Sequence, residues 1–431
     1  MSFKPTQDFP SLFAPFFLLG ISCLFFSCTH RVEPDTPLSV IPTENWIRRE
    51  ARLITASLSA EQKASQVLMT GIDGKVSFPD YLRSHYRGCV PGAIVLFKYN
   101  IADTPERVHR FLSESSTALM QLGSPVPVLF AIDHEGGEVY RTGPVTTRLP
   151  SARDVASSFP PHVAGSLYYH AAHQLKLLGI RMNLFPVLEV QSTASETFMA
   201  SRLFSTDPEV ASRYAEQVVH AHRKSSTIAV IKHFPGIGSS DPHHSVPVVP
   251  GSADEIQRSV EKTFRALFKR EVDAVLVSHA IVPALEQDVP FCLSRKGVQA
   301  LLREQFHFDG LVLTDDISMD AIKNQGYSSS QAALMALEAG CDMIMTSDTD
   351  IRSIAGAILQ WAQTENVNMC RLDEAVTRIL SLKIKTGLVS TARGRYYRSR
   401  FGSSASADFD SKTYYLEKRK GDMLLEMINE Y

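Results

Sequence analysis

Polar side chains able to do chemistry occur in this sequence where apolar runs stop. Asp133, His134 and Glu135 follow VPVLFAI, Lys232 and His233 lie near the end of IAVIKHF, Ser278 and His279 follow DAVLV, and Asp315 and Asp316 follow GLVLT. Leaving such groups unpaired in an apolar interior is strongly unfavourable. Either they pair with one another to close off a core, or they face a ligand, and a whole ring of them favours the ligand. The stretch KHFPGIGSSDPHHSVPVVP, from Lys232, is the most informative. After Lys232 and His233, glycine and proline force a long loop that carries Asp241 and His243. Asp241 can take a hydrogen bond from one ring nitrogen of His243, which fixes the tautomer and leaves the other nitrogen to give or take a proton near neutral pH. That is acid–base chemistry on a movable loop. His233, Asp241, His243 and His244 also raise the question of a metal. Their spacing fits neither HExxH nor a ligand pair on one helix face, so no metal and no cofactor are expected.

Eight short apolar runs position these groups. They are QVLMTGI from Gln66, GAIVLF from Gly92, VPVLFAID from Val126, MNLFPV from Met182, IAVIKHF from Ile228, DAVLVSHA from Asp273, GLVLTDD from Gly310 and CDMIMTS from Cys341. Their hydrophobicity is continuous rather than alternating, as for parallel strands buried on both faces. Helical patterns separate them. One is PEVASRYAEQVVHAHRK, with Asp207 as cap and Pro208 in the first turn. The last is RLDEAVTRILSLKIKTG, whose apolar face is Leu372, Val376, Ile379, Leu380 and Ile384, with Gly387 as the stop. The order predicts an α/β fold, a single (β/α)8 TIM barrel over residues 51–388, with its site at the carboxyl ends of the strands.

Composition agrees with one large globular domain plus extensions: 431 residues, 44% hydrophobic, 21% charged, formal net charge −2. Near-neutrality excludes a basic field that would gather nucleic acid. Lys4 precedes an apolar run from Leu12 to Ser27, the length of an export-signal core and short for a membrane span. Cys28 follows Leu24, Phe25, Phe26 and Ser27, which resembles the site where bacterial lipoproteins are cut and acylated. Residues 1–28 therefore read as a signal peptide or a lipoprotein signal, with a periplasmic or membrane-anchored destination. A polar, proline-containing stretch from Thr29 to Thr43 reads as a linker giving way to the barrel by residue 51. Cys89, Cys292, Cys341 and Cys370 are widely spaced and predict no structural disulfide. The tail, 389–431, mixes Arg393, Arg395, Arg398 and Arg400 with tyrosines, and fits either packing on the barrel or a solvated extension.

Taken together, the motifs resemble glycoside hydrolase family 3, in its β-N-acetylglucosaminidase branch. IDHEGGEVYR resembles the family's IDxEGGxVxR, KHFPGIG resembles KHFPGHG, DPH resembles the DSH that follows it, and LVLTDDISM resembles the nucleophile strand VxxSDDLSM. The similarity runs from about Leu58 to Leu388, through AIVLFKYNI, MNLFPVLEV and SRLFSTDP.

The resemblance implies an exo-acting retaining hydrolase for terminal N-acetylglucosamine on peptidoglycan fragments. Asp315 would be the nucleophile, with Asp316 orienting the strand end. His243 would be the general acid/base, steered by Asp241. Asp133, Arg141, Arg202, Lys232 and His233 match family positions that hold the sugar's hydroxyls. Retaining glycosidases use a carboxylate to attack the anomeric carbon and a second group to protonate the leaving oxygen and then activate water. Here the second group would be the Asp241/His243 dyad. The departures are Ile237 in place of the second histidine of KHFPGHG, Glu138 in place of the arginine of EGGR, Glu189 in place of the aspartate of PVLDV, and a loop about two residues shorter before Asp241. Two other readings stay open. A histidine acid does not repel phosphate as a carboxylate would, so a phosphorylase could use the same dyad. A non-catalytic lipoprotein binding wall glycans could keep the same sugar pocket.

Overall fold

In a computed structural model of the chain, the structure describes residues 43–189, 199–238, 240, 245–269, 272–348, 350–391 and 409–427. The residues read as an export signal, Cys28 among them, lie outside the described residues.

Each of the eight apolar runs contains a strand: β1 (Leu68–Thr70), β2 (Ala93–Leu96), β3 (Leu129–Ile132), β4 (Met182–Asn183), β5 (Ile228–Phe234), β6 (Ala274–Val277), β7 (Leu311–Thr314) and β8 (Ile344–Thr346). Every strand residue is buried, as the unbroken hydrophobicity requires. The strands pair in parallel in the order β8-β1-β2-β3-β4-β5-β6-β7. An isolated parallel bridge, Leu313 to Met343, joins β7 to the start of the β8 segment and closes the ring. The fold is a (β/α)8 TIM barrel. All eight strands run the same way, so their carboxyl ends share one mouth.

The helices follow from local signals. Pro208–Ser225 starts where Asp207 accepts from the amides of Glu209 and Val210, and ends at Ser226 in the left-handed region. Asn366–Lys385 buries Leu372, Val376, Ile379, Leu380 and Ile384, the face read from its spacing. Two further helices flank the barrel. A helix, Thr43–Ser57, occupies the end of the expected linker and packs along Asn366–Lys385, because its tryptophan and isoleucines turn toward the core. In the tail, Ser411–Glu426 forms a helix that packs on Pro161–Leu178. No helix among the described residues is long and apolar enough to cross a membrane.

Candidate active site

Asp133 stands immediately after β3, and the chain then folds into a short antiparallel hairpin, His134–Gly136 with Val139–Tyr140. The glycines of EGG make this turn. Gly136 has φ of 103°, and a Cβ there would lie 2.1 Å from the Pro150 carbonyl oxygen, so no side chain fits. The hairpin turns Glu135 back into the barrel, where it is buried.

Around Glu135 the charges alternate. Lys232 Nζ, from β5, lies 2.6 Å from Asp133 Oδ1 and 2.8 Å from Glu135 Oε1. Arg202 donates to both Glu135 oxygens at 2.8 Å, a bidentate fork. Burial disfavours the Lys232 ammonium, but Asp133 and Glu135 outweigh it and hold its pKa above the usual lysine value. Burial likewise opposes the charge on Glu135, and Lys232 and Arg202 overcome it, keeping the carboxyl below its ordinary range. Glu135, Lys232 and Arg202 are therefore ionised at neutral pH. Asp133 and Arg202 are the members left partly open to solvent.

His233 follows Lys232 and is held by a second carboxylate. Its Nδ1 is 2.7 Å from Glu189 Oε1, and its backbone amide donates to the same oxygen at 3.3 Å. Glu189 Oε2 accepts the Ile237 amide at 2.6 Å, which ties down the first residues of the loop after β5. Burial pushes Glu189 up to about 8, against the pull of the Ile237 and His233 amides. The buried setting thus favours the uncharged form of the Glu189 carboxyl.

On the far side of the ring, the backbone amide of Asp315 continues the β7 ladder onto the Val277 carbonyl at 3.2 Å, and its Oδ1 accepts the Asp316 amide at 2.9 Å. Among the described residues its other carboxylate oxygen takes no hydrogen bond, and the side chain is partly exposed. The neighbouring carboxylate is used differently. Asp316 Oδ1 accepts the Ser318 and Ser347 amides at 2.8 and 3.0 Å, stitching the loops after β7 and β8 together. His279 Nε2 meets the Asp316 carbonyl at 2.8 Å and its Nδ1 meets Cys292 Sγ at 3.2 Å, so this strand-end histidine is part of the wall.

The structure thus brings Asp133, Lys232 and Arg202 into one cluster, sets His233 beside it on β5, and puts Asp315 at the same end of the barrel. Arg141 follows the hairpin, and its buried Nε has no hydrogen-bond partner among the described residues. Asp241 and His243 lie outside the described residues. Sequence reasoning did not assign Glu135 or Glu189 to the site. Glu135 was visible as part of a polar trio after β3, and Glu189 as a departure within PVLEV, but neither position reveals a partner distant in sequence. His134, from the same trio, turns away from this chemistry: burial pushes it down to about 3, and Asn183 holds its backbone from β4. A separate hollow of about 820 Å³ includes the starts of β6 and β7, at the opposite end of the barrel. Its Arg48 and Arg378 pair with Asp309 and its Lys385 with Asp273.

The sequence model described as "Glycosyl hydrolase family 3 N terminal domain" matches residues 60–382, the whole barrel with every strand end named above. The chain belongs to glycosyl hydrolase family 3. A "Beta-hexosaminidase" of Nitrosomonas eutropha is 30% identical over 291 residues, covering 65% of this chain and 81% of that one. "Beta-hexosaminidase LpqI" of Mycobacterium tuberculosis is 27% identical over 368 residues, covering 83% and 90%. Among solved structures, a family 3 β-N-acetylglucosaminidase from Paenibacillus superposes with a TM-score of 0.72 at 29% identity, covering 86% of this chain and 68% of that one. This family 3 chain is accordingly a glycoside hydrolase.

Proposed function

We propose that the chain is an exo-acting, retaining β-N-acetylglucosaminidase that removes terminal N-acetylglucosamine from peptidoglycan-derived glycans. The observation that carries this reading is the alternating Asp133–Lys232–Glu135–Arg202 cluster sharing one barrel mouth with the partly exposed Asp315. A carboxylate accepts from two adjacent hydroxyls, and the cations donate to sugar oxygens. In this reading Asp133, Arg141, Arg202, Lys232 and His233 seat the non-reducing sugar. Asp315, whose backbone is fixed by β6 and whose second oxygen is unengaged among the described residues, attacks the anomeric carbon. His243, oriented by Asp241, protonates the departing glycosidic oxygen. The glycosyl–Asp315 ester is then opened by water, which gives its proton back to His243 and leaves the β-configured sugar and a free carboxylate. We further propose export directed by residues 1–28, with acylation at Cys28 as the membrane anchor.

The test is an assay of purified protein on an aryl N-acetyl-β-glucosaminide and the matching aryl glucoside, with and without phosphate. The expected result is turnover of the N-acetyl substrate to the free sugar, and a loss of at least about 10³-fold for Asp315→Ala with its circular dichroism unchanged. Accumulation of sugar 1-phosphate would assign a phosphorylase instead. Sugar binding without turnover by the unaltered protein would assign a lectin.

A further inference from the structure

The family match stops at residue 382, yet the chain carries the additional helix Ser411–Glu426. Its inner face is built for docking. Tyr414 is fully buried, and its hydroxyl donates to the Val145 carbonyl. Thr147 Oγ1 donates to the Lys418 carbonyl at 3.1 Å. Farther along the helix, Gly421 lies so close that a Cβ there would stand 2.6 Å from the same Oγ1. Glu417 is 2.5 Å from His170 Nδ1 on the supporting helix, Pro161–Leu178. The tail helix therefore grips Val145 and Thr147, the residues on either side of Thr146.

Thr146 in turn grips the residues on either side of Arg141. Its carbonyl accepts the Tyr140 hydroxyl at 2.7 Å, and its Oγ1 is 2.6 Å from Thr142 Oγ1. Thr142 Oγ1 also reaches His134 Nδ1 at 3.2 Å, between Asp133 and Glu135 in sequence. Gln174 secures Thr147 from the supporting helix, taking its amide at 2.8 Å and donating to its Oγ1 at 3.1 Å. Interlocked buried polar contacts of this kind admit one arrangement of the backbone.

We propose that helix Ser411–Glu426 is a positioning element for the sugar site: it fixes the segment 139–147 and through it Arg141 and the turn that presents Asp133 and Glu135. This rests on the reading of Asp133 and Arg141 as sugar-binding. The helix touches no reacting atom.

The test compares full-length Gly421→Leu, Thr147→Val and Thr147→Ser with the unaltered protein. Three quantities are measured: KM and kcat on the aryl N-acetyl-β-glucosaminide, calorimetric binding of N-acetylglucosamine, and hydrogen exchange of 139–147, 228–234 and 411–426. Gly421→Leu forces the helix away and leaves the Gln174 contact in place, while Thr147→Val removes the Oγ1 bonds to both Lys418 and Gln174. Both are expected to weaken N-acetylglucosamine binding about five-fold or more and to raise KM more than they lower kcat. Exchange should rise over 139–147 and 411–426 and stay unchanged over 228–234. Thr147→Ser, which keeps the hydroxyl, should behave as the unaltered chain. Release of 411–426 with sugar binding unchanged overturns the proposal, as does release of that helix with 139–147 still protected. If the unaltered protein binds no N-acetylglucosamine, the sugar reading fails and the exchange pattern alone decides whether the helix holds the segment.

Discussion

Glu189 is the residue whose ionisation the fold has displaced most consequentially near the site. Its carboxyl is raised from an ordinary 4.5 to about 8 because it is buried beside His233, with the Ile237 amide as its other contact. Between those two pH values the native chain holds a proton that the unfolded chain releases. Its contribution to stability is thus complete below about 4.5, declines as pH rises and is gone above about 8. His134 and His222 have the opposite sense. Burial holds them down to about 3 and about 4, so the native state gains stability as pH rises through the acid range toward 6.5. The effects separate by difference: in urea unfolding from pH 5 to 9, the stability of the unaltered protein minus that of Glu189→Gln should fall as pH rises to about 8 and then level off. Parallel curves would mean that Glu189 is ionised throughout.

At the scale of elements, one buried carboxylate gathers the charges at the join of the barrel. Asp342 precedes β8, is fully buried and is met by Arg303 at 2.5 Å, Arg371 at 2.9 Å and Arg378 at 3.1 Å, from two different helices. It also accepts the Val312 amide of β7 at 2.9 Å, across the join where the ring closes. Burial opposes its charge, but the three guanidinium groups bring it down to about 2. Its stabilisation is present above its ordinary 3.8 and lost as pH falls through about 2. Asp342→Asn removes the buried counter-charge shared by three arginines, of which Arg378 keeps Asp309, and should cost about 3–5 kcal/mol in chemical unfolding. A change within error would show that water reaches those arginines. Such pairings also mark where the sequence stopped being informative. All eight strands were legible because each is buried on both faces and reads as a continuous apolar run, and Asp133, Lys232 and Asp315 were legible because they interrupt those runs. Glu135 and Glu189 carried no such mark of their partners: Arg202 is 67 residues from Glu135, and His233 is 44 from Glu189. Only the register of the ring brings them together. The tail helix was hidden for a different reason. Its Tyr414, Glu417 and Gly421 are ordinary in composition, and their meaning lies wholly in the surface they meet.

At the scale of the molecule, the helix that leads into the first strand, Ala60–Gln66, and the last barrel helix are joined by a buried lysine. Lys383 Nζ donates to Gln66 Oε1 at 2.9 Å, and burial pushes it down to about 7 from an ordinary 10.5. Between those values the unfolded chain holds the extra proton, so stability should rise with pH across that window and level off above it. Replacing the pair by Lys383→Met with Gln66→Leu leaves no orphaned polar group. Melting temperatures should then be flatter from pH 7 to 10 than those of the unaltered protein, and an identical slope would place the lysine's charge in contact with solvent. The cluster at the mouth has a consequence of its own. Two carboxylates and two cations interlocked there cancel at a distance of a few ångströms, so an approaching glycan feels almost no long-range pull from them. Recognition falls to the directions of individual lone pairs and protons at close range, and the rate of encounter is left to diffusion, indifferent to the ionic strength of the surroundings.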